Sequence, residues 1–348
     1  MRILQVIRSL TFGGAENHVL SLLAGLRDRG HDVLLAAPAN SWIGEQCEQN
    51  GLLVEHVPMI GIADLRSYWK LHRLIRSWHA DIVHAHQVRP AQYVGIASLG
   101  TGAIPICTAH STGVRKHMRR CRHIIGVSDA VVENLVNHRY PRQIITRIYN
   151  GVPDVVREER SMLRKELGIP EMQYAVVCAG RFHRDKGQDV LVEAIHFCPD
   201  HVHVYFAGDH NNDFGRVLKA KALENPRIHF LGYRNDVQRI LPAFDLYAAP
   251  SRREAFSLSL AEAEAAQLPI VGSRVGGIPE VVRDGESGVL VPPADVGAFV
   301  DVIGKLSTDL AWGERLGREG RLRFEQNFTV DRMVAQTESL YAKLLAAV

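Results

Sequence analysis

Short apolar runs closed by turn residues alternate along the chain with longer stretches of helical spacing, the pattern of repeated β-α units around a parallel sheet. In the first half the runs are RILQVI (2–7), DVLLAA (32–37), LVEHVP (53–58), DIVHAH (81–86), IPICTA (104–109), HIIGVS (123–128) and ITRIYN (145–150). Between the first two, residues 15–30 place Val19, Leu20, Leu22, Leu23 and Leu26 on one face and stop at Gly30, which predicts an amphipathic helix. The chain then turns charged after NGVPD, and the alternation restarts with YAVVCAG (174–180), VHVYFAG (202–208), RIHFLG (227–232), DLYAAP (245–250), PIVGS (269–273) and GVLVPP (288–293). Two doubly wound α/β domains are expected, with a boundary near 151–165 and no copied repeat between them. In open parallel sheets ligands sit outside the carboxyl ends of the strands, and candidate chemistry is sought there.

Charge divides the same way. Residues 1–150 hold 17 Lys/Arg against 10 Asp/Glu, a net +7, and the remainder 24 against 28, a net −4. No basic stripe with interleaved aromatics and no nucleic-acid module accompanies that excess, so nucleic acid is not the expected partner. The five cysteines (Cys47, Cys107, Cys121, Cys178, Cys198) are scattered and form no CxxC pair, which suggests a reducing cytoplasm. The start MRILQVIRSL is too short an apolar run for a signal peptide, and no stretch is long enough to span a bilayer.

Several strand ends carry candidate chemistry. In LTFGGAE, Gly13 and Gly14 let backbone approach an anion at a helix start, or simply make a tight turn; the full GxGxxG and P-loop patterns are lacking. CAGRFHRDKG brings Arg181 and Lys186 off a strand end beside Gly180 and Gly187, where two cations can clamp a diphosphate, or else face solvent. SRREAFSLSLAEAE sets Glu254 and Glu262 eight residues apart; on one helix that is about 12 Å along the axis and about 80° around it, too far for a shared acid site but suited to an elongated ligand. The helix start near Phe256 to Leu258 would meet a diphosphate, with Glu262 accepting from ribose hydroxyls and Glu254 facing a sugar. Ala261, Ala263, Ala265 and Ala266 read as close packing, and Glu264 as a solvated charge. SRVGGIPEVV places Gly276, Gly277 and Glu280 at the same mouth, or forms an ordinary Gly-Pro turn. His84 and His86 form an HxH pair with no third metal ligand of suitable spacing, and His110 ends the next strand, to bond a sugar hydroxyl or phosphate or to stay structural. No Asp-x-Asp occurs, so no metal is expected to hold a nucleotide diphosphate.

Taken in order, GGAE, HAH, His110, VSDAV, NGV, GRF…KG, the E-x7-E of Glu254 and Glu262, and GGIPEVV resemble the retaining glycosyltransferases of family 4, glycosyl transferases group 1, over nearly the whole chain. The resemblance implies a GT-B fold: facing Rossmann-like domains over 1–155 on the acceptor side and 156–328 on the nucleotide-sugar side, an interdomain cleft, and a C-terminal helix at 329–348 crossing back. It implies catalytic roles for Arg181, Lys186, Glu254 and His110, with donor contacts from Gly13, Gly14, Gly180, Ala255, Phe256, Ser257, Leu258 and Glu262. The LGYRNDV backbone at Tyr233 and Arg234 would meet the base, most often uridine. The family commonly reads Glu-Gly-Phe-Gly where this chain has EAFS, which leaves room but bears on sugar selectivity.

The segment between His110 and Ser128 is short and basic, and Arg115, Lys116, Arg119, Arg120 and Arg122 would meet anionic lipid head groups or a phosphorylated glycan acceptor, or form a solvated face. The activity implied is metal-independent, cofactor-free transfer of a sugar from a nucleotide sugar, with UDP as the expected nucleotide, to a glycan or glycolipid hydroxyl with retention. The implied setting is the cytoplasmic side of the membrane, in cell-envelope, exopolysaccharide or lipopolysaccharide synthesis. A sugar-nucleotide epimerase or phosphorylase, and a non-catalytic sugar-nucleotide binding module, are the alternatives.

Overall fold

Thirteen parallel strands form two sheets in the computed structural model, which describes all 348 residues except Thr11, Val114, Arg115, Val156, Arg157, Leu223 and Val348, and the side chain of Lys116. The chain divides into two units, residues 1–152 with 329–348, and residues 153–328.

The first unit holds β1 (Arg2–Ile7), β2 (Asp32–Ala37), β3 (Leu53–His56), β4 (Ile82–His86), β5 (Ile104–Ala109), β6 (His123–Gly126) and β7 (Ile145–Arg147), in the spatial order β3-β2-β1-β4-β5-β6-β7. The helix Gly14–Asp28 buries Val19, Leu22, Leu23 and Leu26 against this sheet, the face read from the heptad-like spacing. Some strands stop earlier than their apolar runs. β6 ends at Gly126 because Ser128 turns to cap the next helix, its Oγ accepting from Val131 N at 3.1 Å, and β3 closes at His56. The C-terminal helix Val330–Ala346 contributes Met333, Val334 and Tyr341 to the same core. It lies so close that a Cβ on Gly25 would come within 2.5 Å of a Val334 methyl.

The second unit holds β8 (Tyr174–Ala179), β9 (Val202–Ala207), β10 (Ile228–Gly232), β11 (Leu246–Ala249), β12 (Ile270–Ser273) and β13 (Val289–Val291), ordered β10-β9-β8-β11-β12-β13. Its strands read as unbroken apolar runs because helices cover both faces. The charged stretch that opens the unit is partly interior: Arg164 is fully buried and donates to Pro170 O, Gln173 O, Ala243 O and Asp245 Oδ2 at 2.6, 2.7, 3.1 and 3.2 Å, which replaces much of its hydration, while Nε finds no hydrogen-bond partner among the described residues. Both units are Rossmann-like, each built on one open parallel sheet. No helix among the described residues is long and apolar enough to cross a membrane.

Candidate functional site

In each sheet the strand order reverses once, between β1 and β4 in the first unit and between β8 and β11 in the second. Loops leaving such a pair diverge to opposite faces and open a crevice at the carboxyl ends. The candidate residues gather at these two points.

In the second unit, Lys186 leaves β8 through a 3₁₀ turn (Arg184–Lys186), and its Nζ meets Glu254 Oε2, from the loop after β11, at 2.5 Å. Both groups are partly covered, at 30% and 14% side-chain exposure, so the pair is neither free in solvent nor fully buried. Behind it the two loops interlock: Arg252 N donates to Asp185 O at 2.7 Å, and the Arg252 guanidinium makes a bidentate pair with Asp189, both bonds 2.7 Å. Arg181 is exposed and enters no ion pair among the described residues. Gly180, directly after β8 and before Arg181, has φ +143°.

The helix Leu258–Ala265 starts at the same point. Its N-cap, Ser257, has φ +80° and gives no side-chain cap, so the amides of the first turn stay unsatisfied by the helix's own cap. A left-handed serine is strained by about 1–2 kcal/mol where glycine would not be, and EAFS therefore carries strain that the family's second glycine avoids. Phe256 points away from this mouth into the core, edge to face with Phe328 at 5.6 Å between centroids. Ala255 and Leu258 offer backbone rather than side-chain chemistry, while the Ser257 hydroxyl lies 3.3 Å from Ser259 Oγ. The GG pair after β12 supports this loop from below. Gly276 has φ +51°, and a Cβ there would lie 1.8 Å from Glu254 O, so the close approach that holds Glu254 admits no side chain.

Glu262 stands one face round the helix, half-buried, its Oε1 accepting from Gln238 Nε2 at 2.8 Å. Burial raises its pKa against the opposing pull of that bond. Glu264, expected to be solvated, is fully buried. Its Oε1 accepts from Ser287 Oγ at 3.1 Å with Arg323 Nε at 3.8 Å, and burial pushes its pKa well up. Two residues turn a helix by about 200°, so a neighbour facing the mouth forces Glu264 to face the helix Leu310–Asn327 behind. Tyr233 is exposed after β10, and Arg234 is held by Asp236 in two bonds of 2.8 Å, leaving the backbone of this segment as its outward chemistry.

Unforeseen residues complete the mouth. Gln188 is buried, donates to Arg181 O at 3.0 Å, and its Oε1 has no partner among the described residues. Tyr247 on β11 clamps the end of β8, donating to Ala179 O at 2.9 Å and accepting from Ala179 N at 3.2 Å. Together with Lys186, Ser257 and Ser259 they line a small recess between β8 and β11.

In the first unit the crossing point gathers histidines. His86 Nδ1 lies 3.1 Å from His110 Nε2, and His18, from the helix after β1, comes within 4.8 Å of both; the third imidazole that chain spacing hides is thus present. His18 is buried, neither of its ring nitrogens finds a hydrogen-bond partner among the described residues, and burial pushes its pKa down to about 4. Burial also holds His84, His86 and His110 well below the usual imidazole range, so all four rings are neutral at pH 7. A buried chain of hydrogen bonds links these rings. His84 Nδ1 lies 2.6 Å from Tyr341 OH and its Nε2 lies 2.7 Å from Thr108 Oγ1, so the neutral ring donates at one nitrogen and accepts at the other. Gln5 Nε2 donates to Tyr341 OH at 3.2 Å, and Gln5 Oε1 accepts from His86 Nε2–H at 2.7 Å. His86 Nδ1 is then an acceptor for His110 Nε2–H, which leaves His110 Nδ1 as a second acceptor. Gly13 N-caps the helix Gly14–Asp28 without a side-chain bond, and the carboxylate of Glu16 lies 2.7 Å from where a Gly13 Cβ would stand.

The basic segment is placed in part. Arg119 stacks over Tyr140 at 5.6 Å and Arg120 is exposed; Arg115 and the Lys116 side chain lie outside the described residues.

Two family models match the chain, Glycosyltransferase Family 4 over residues 12–155 and Glycosyl transferases group 1 over 173–309. A D-inositol 3-phosphate glycosyltransferase from Xylanimonas cellulosilytica is 34% identical over 76% of this chain and 67% of its own length. The chain belongs to the glycosyl transferases group 1 family. Within it, N-acetyl-alpha-D-glucosaminyl L-malate synthase from Bacillus anthracis is 28% identical over 81% of this chain and 80% of its own. Among solved folds, HepE from Anabaena in complex with UDP superposes with TM-score 0.89 over the whole of both chains at 22% identity.

Proposed function

We propose that this glycosyltransferase moves a sugar from a nucleotide sugar, with UDP as the nucleotide, to a hydroxyl of a glycan or glycolipid acceptor, with retention and without a metal ion. The observation that carries it is the Lys186–Glu254 contact at the reversal between β8 and β11, where a cation and a carboxylate from separate loops meet beside an uncapped helix start. On this proposal Arg181, Lys186 and the amides of Ser257 and Leu258 take the diphosphate, Glu262 with Gln238 takes the ribose, the Tyr233–Arg234 backbone takes the base, and Glu254 faces the sugar. Gly13, Gly14 and His110, within the first unit, are proposed to bind substrate hydroxyls. UDP is supported by the HepE structures, solved with UDP and with UDP-glucose.

The step balances without a protein base. The bond from the anomeric carbon to the phosphate oxygen breaks, with its electron pair left on phosphate. The acceptor hydroxyl bonds to that carbon from the same face, and its proton passes to the departing phosphate oxygen. Charge grows on that oxygen, which the fixed cations and the helix start stabilise by on the order of 3 kcal/mol per donor. The relatives' names carry L-malate and inositol 3-phosphate, both anionic, and an anionic acceptor suits the net +7 of residues 1–150. Five buried free thiols suit the cytoplasmic side, and cell-envelope, exopolysaccharide or lipopolysaccharide synthesis is the setting proposed.

A thermal-shift screen of nucleotide sugars followed by donor hydrolysis tests this. A UDP-sugar should stabilise and be slowly hydrolysed, Lys186→Ala should lower kcat a hundredfold or more, about 3 kcal/mol, with a smaller change in donor affinity, and Glu262→Ala should weaken nucleotide binding. Wild-type constants in both variants, or binding with no turnover, would remove the assignment.

A further inference from the structure

The helix Leu65–Ser77 buries Ser67, Leu71 and Ile75 and turns outward a face that mixes two kinds of side chain. Leu65 and Trp69 are 77% and 63% exposed, and among them stand Arg66, Lys70, Arg73 and Arg76, with no Asp or Glu anywhere in the helix. The outward face of a surface helix is typically charged or polar. The approach to the helix adds exposed Ile60 and Ile62, and the edge strand β3 adds exposed Leu53. Arg66, Arg73 and Arg76 enter no ion pair among the described residues, whereas Arg27, Arg29 and Arg147 of the same unit each find a carboxylate. The nearest acids are committed or single: Asp64 caps the helix through Ser67 N at 3.1 Å, and Glu55 lines the groove beside Trp69. The Arg73 guanidinium rests 5.5 Å over the Trp69 ring, presenting charge and indole together.

This face continues into the short basic segment. Tyr68 stacks on Tyr93 of the neighbouring helix Val88–Ala97 at 4.3 Å, and on that helix Gly95 lies so close to the turn Lys116–Arg120 that a Cβ would come 2.4 Å from the Arg120 Cβ. Arg119 and Arg120, exposed and unpaired with any described carboxylate, thereby join Arg66 and Arg73 on one side of the unit, while Lys70 donates to His56 O.

We propose that this side, centred on Trp69, is a docking surface for an anionic lipid bilayer. Charge complementarity selects that occupant: unpaired cations sit at the level of the head groups while Leu65, Trp69 and the preceding isoleucines enter the boundary with the acyl chains. The partner is a surface for the whole chain, independent of which sugar is transferred.

The test uses the full chain in flotation with phosphatidylcholine vesicles, with and without phosphatidylglycerol. Wild type should float only with phosphatidylglycerol. The double variant Arg66→Gln, Arg73→Gln should bind about thirtyfold more weakly, and Trp69→Ala should bind more weakly and lose the vesicle-induced change in tryptophan emission. Donor hydrolysis without vesicles should be unchanged in both variants, which separates this surface from the transfer chemistry and shows that they fold. Equal binding to neutral vesicles, wild-type binding by both variants, or a change in the oligomeric state of the lipid-free chain with vesicle binding intact would overturn the proposal.

Discussion

Glu254 and Glu264 stand ten residues apart in one motif and live in opposite environments. Glu254 shares its charge with Lys186 across 68 residues of chain, a partnership no local spacing encodes, although the strand-end position of each was readable. Glu264 was misread because an alternating E-A-E looks like a charged face, while the helix turn between the two glutamates sends the second into the interior. The cost is measurable. A carboxyl whose pKa is raised by folding contributes stability that is full below its unfolded value of 4.5 and is lost as pH rises through the folded value. Glu264→Gln keeps the Ser287 bond without the charge, so urea unfolding should show the variant gaining on wild type as pH goes from about 5 to 8. A constant difference across that range would mean that the Arg323 pair offsets the burial in full.

Strands were the most legible elements, since a parallel sheet covered on both faces writes itself as apolar runs. Their ends were less so, because caps such as Ser128 and loop bonds decide them. The glycine loops could be found but their purpose could not: Gly276 serves Glu254 through a backbone approach between loops 22 residues apart. Gly276→Ala should cost more than about 1 kcal/mol in denaturant unfolding and weaken UDP binding together with it; stability falling with UDP affinity intact would free Glu254 from that support. The histidine chain shows the same limit, as His18 and Tyr341 reach HxH only through folding. Tyr341→Phe strands buried Gln5 and His84 and should cost about 1–3 kcal/mol. Calorimetry checks this, and an unchanged melting temperature would show that the buried chain rearranges freely.

Across the whole molecule, the two-domain α/β architecture and the family were readable from ordered motifs, and the uneven charge of the halves was readable from counting. What the counting could not show is where the cations lie, on an outward helix face around Trp69 as well as in the short basic segment. The second unit concentrates its chemistry at one reversal of strand order, with fixed side chains in place of a metal ion as the proposed grip on the diphosphate. Titration calorimetry of UDP into the full chain in excess EDTA, for wild type and for Arg181→Ala with Lys186→Ala, addresses that grip directly. Wild type should bind UDP equally with and without the chelator while the double variant loses measurable affinity; binding abolished by EDTA, or retained by the double variant, would contradict it.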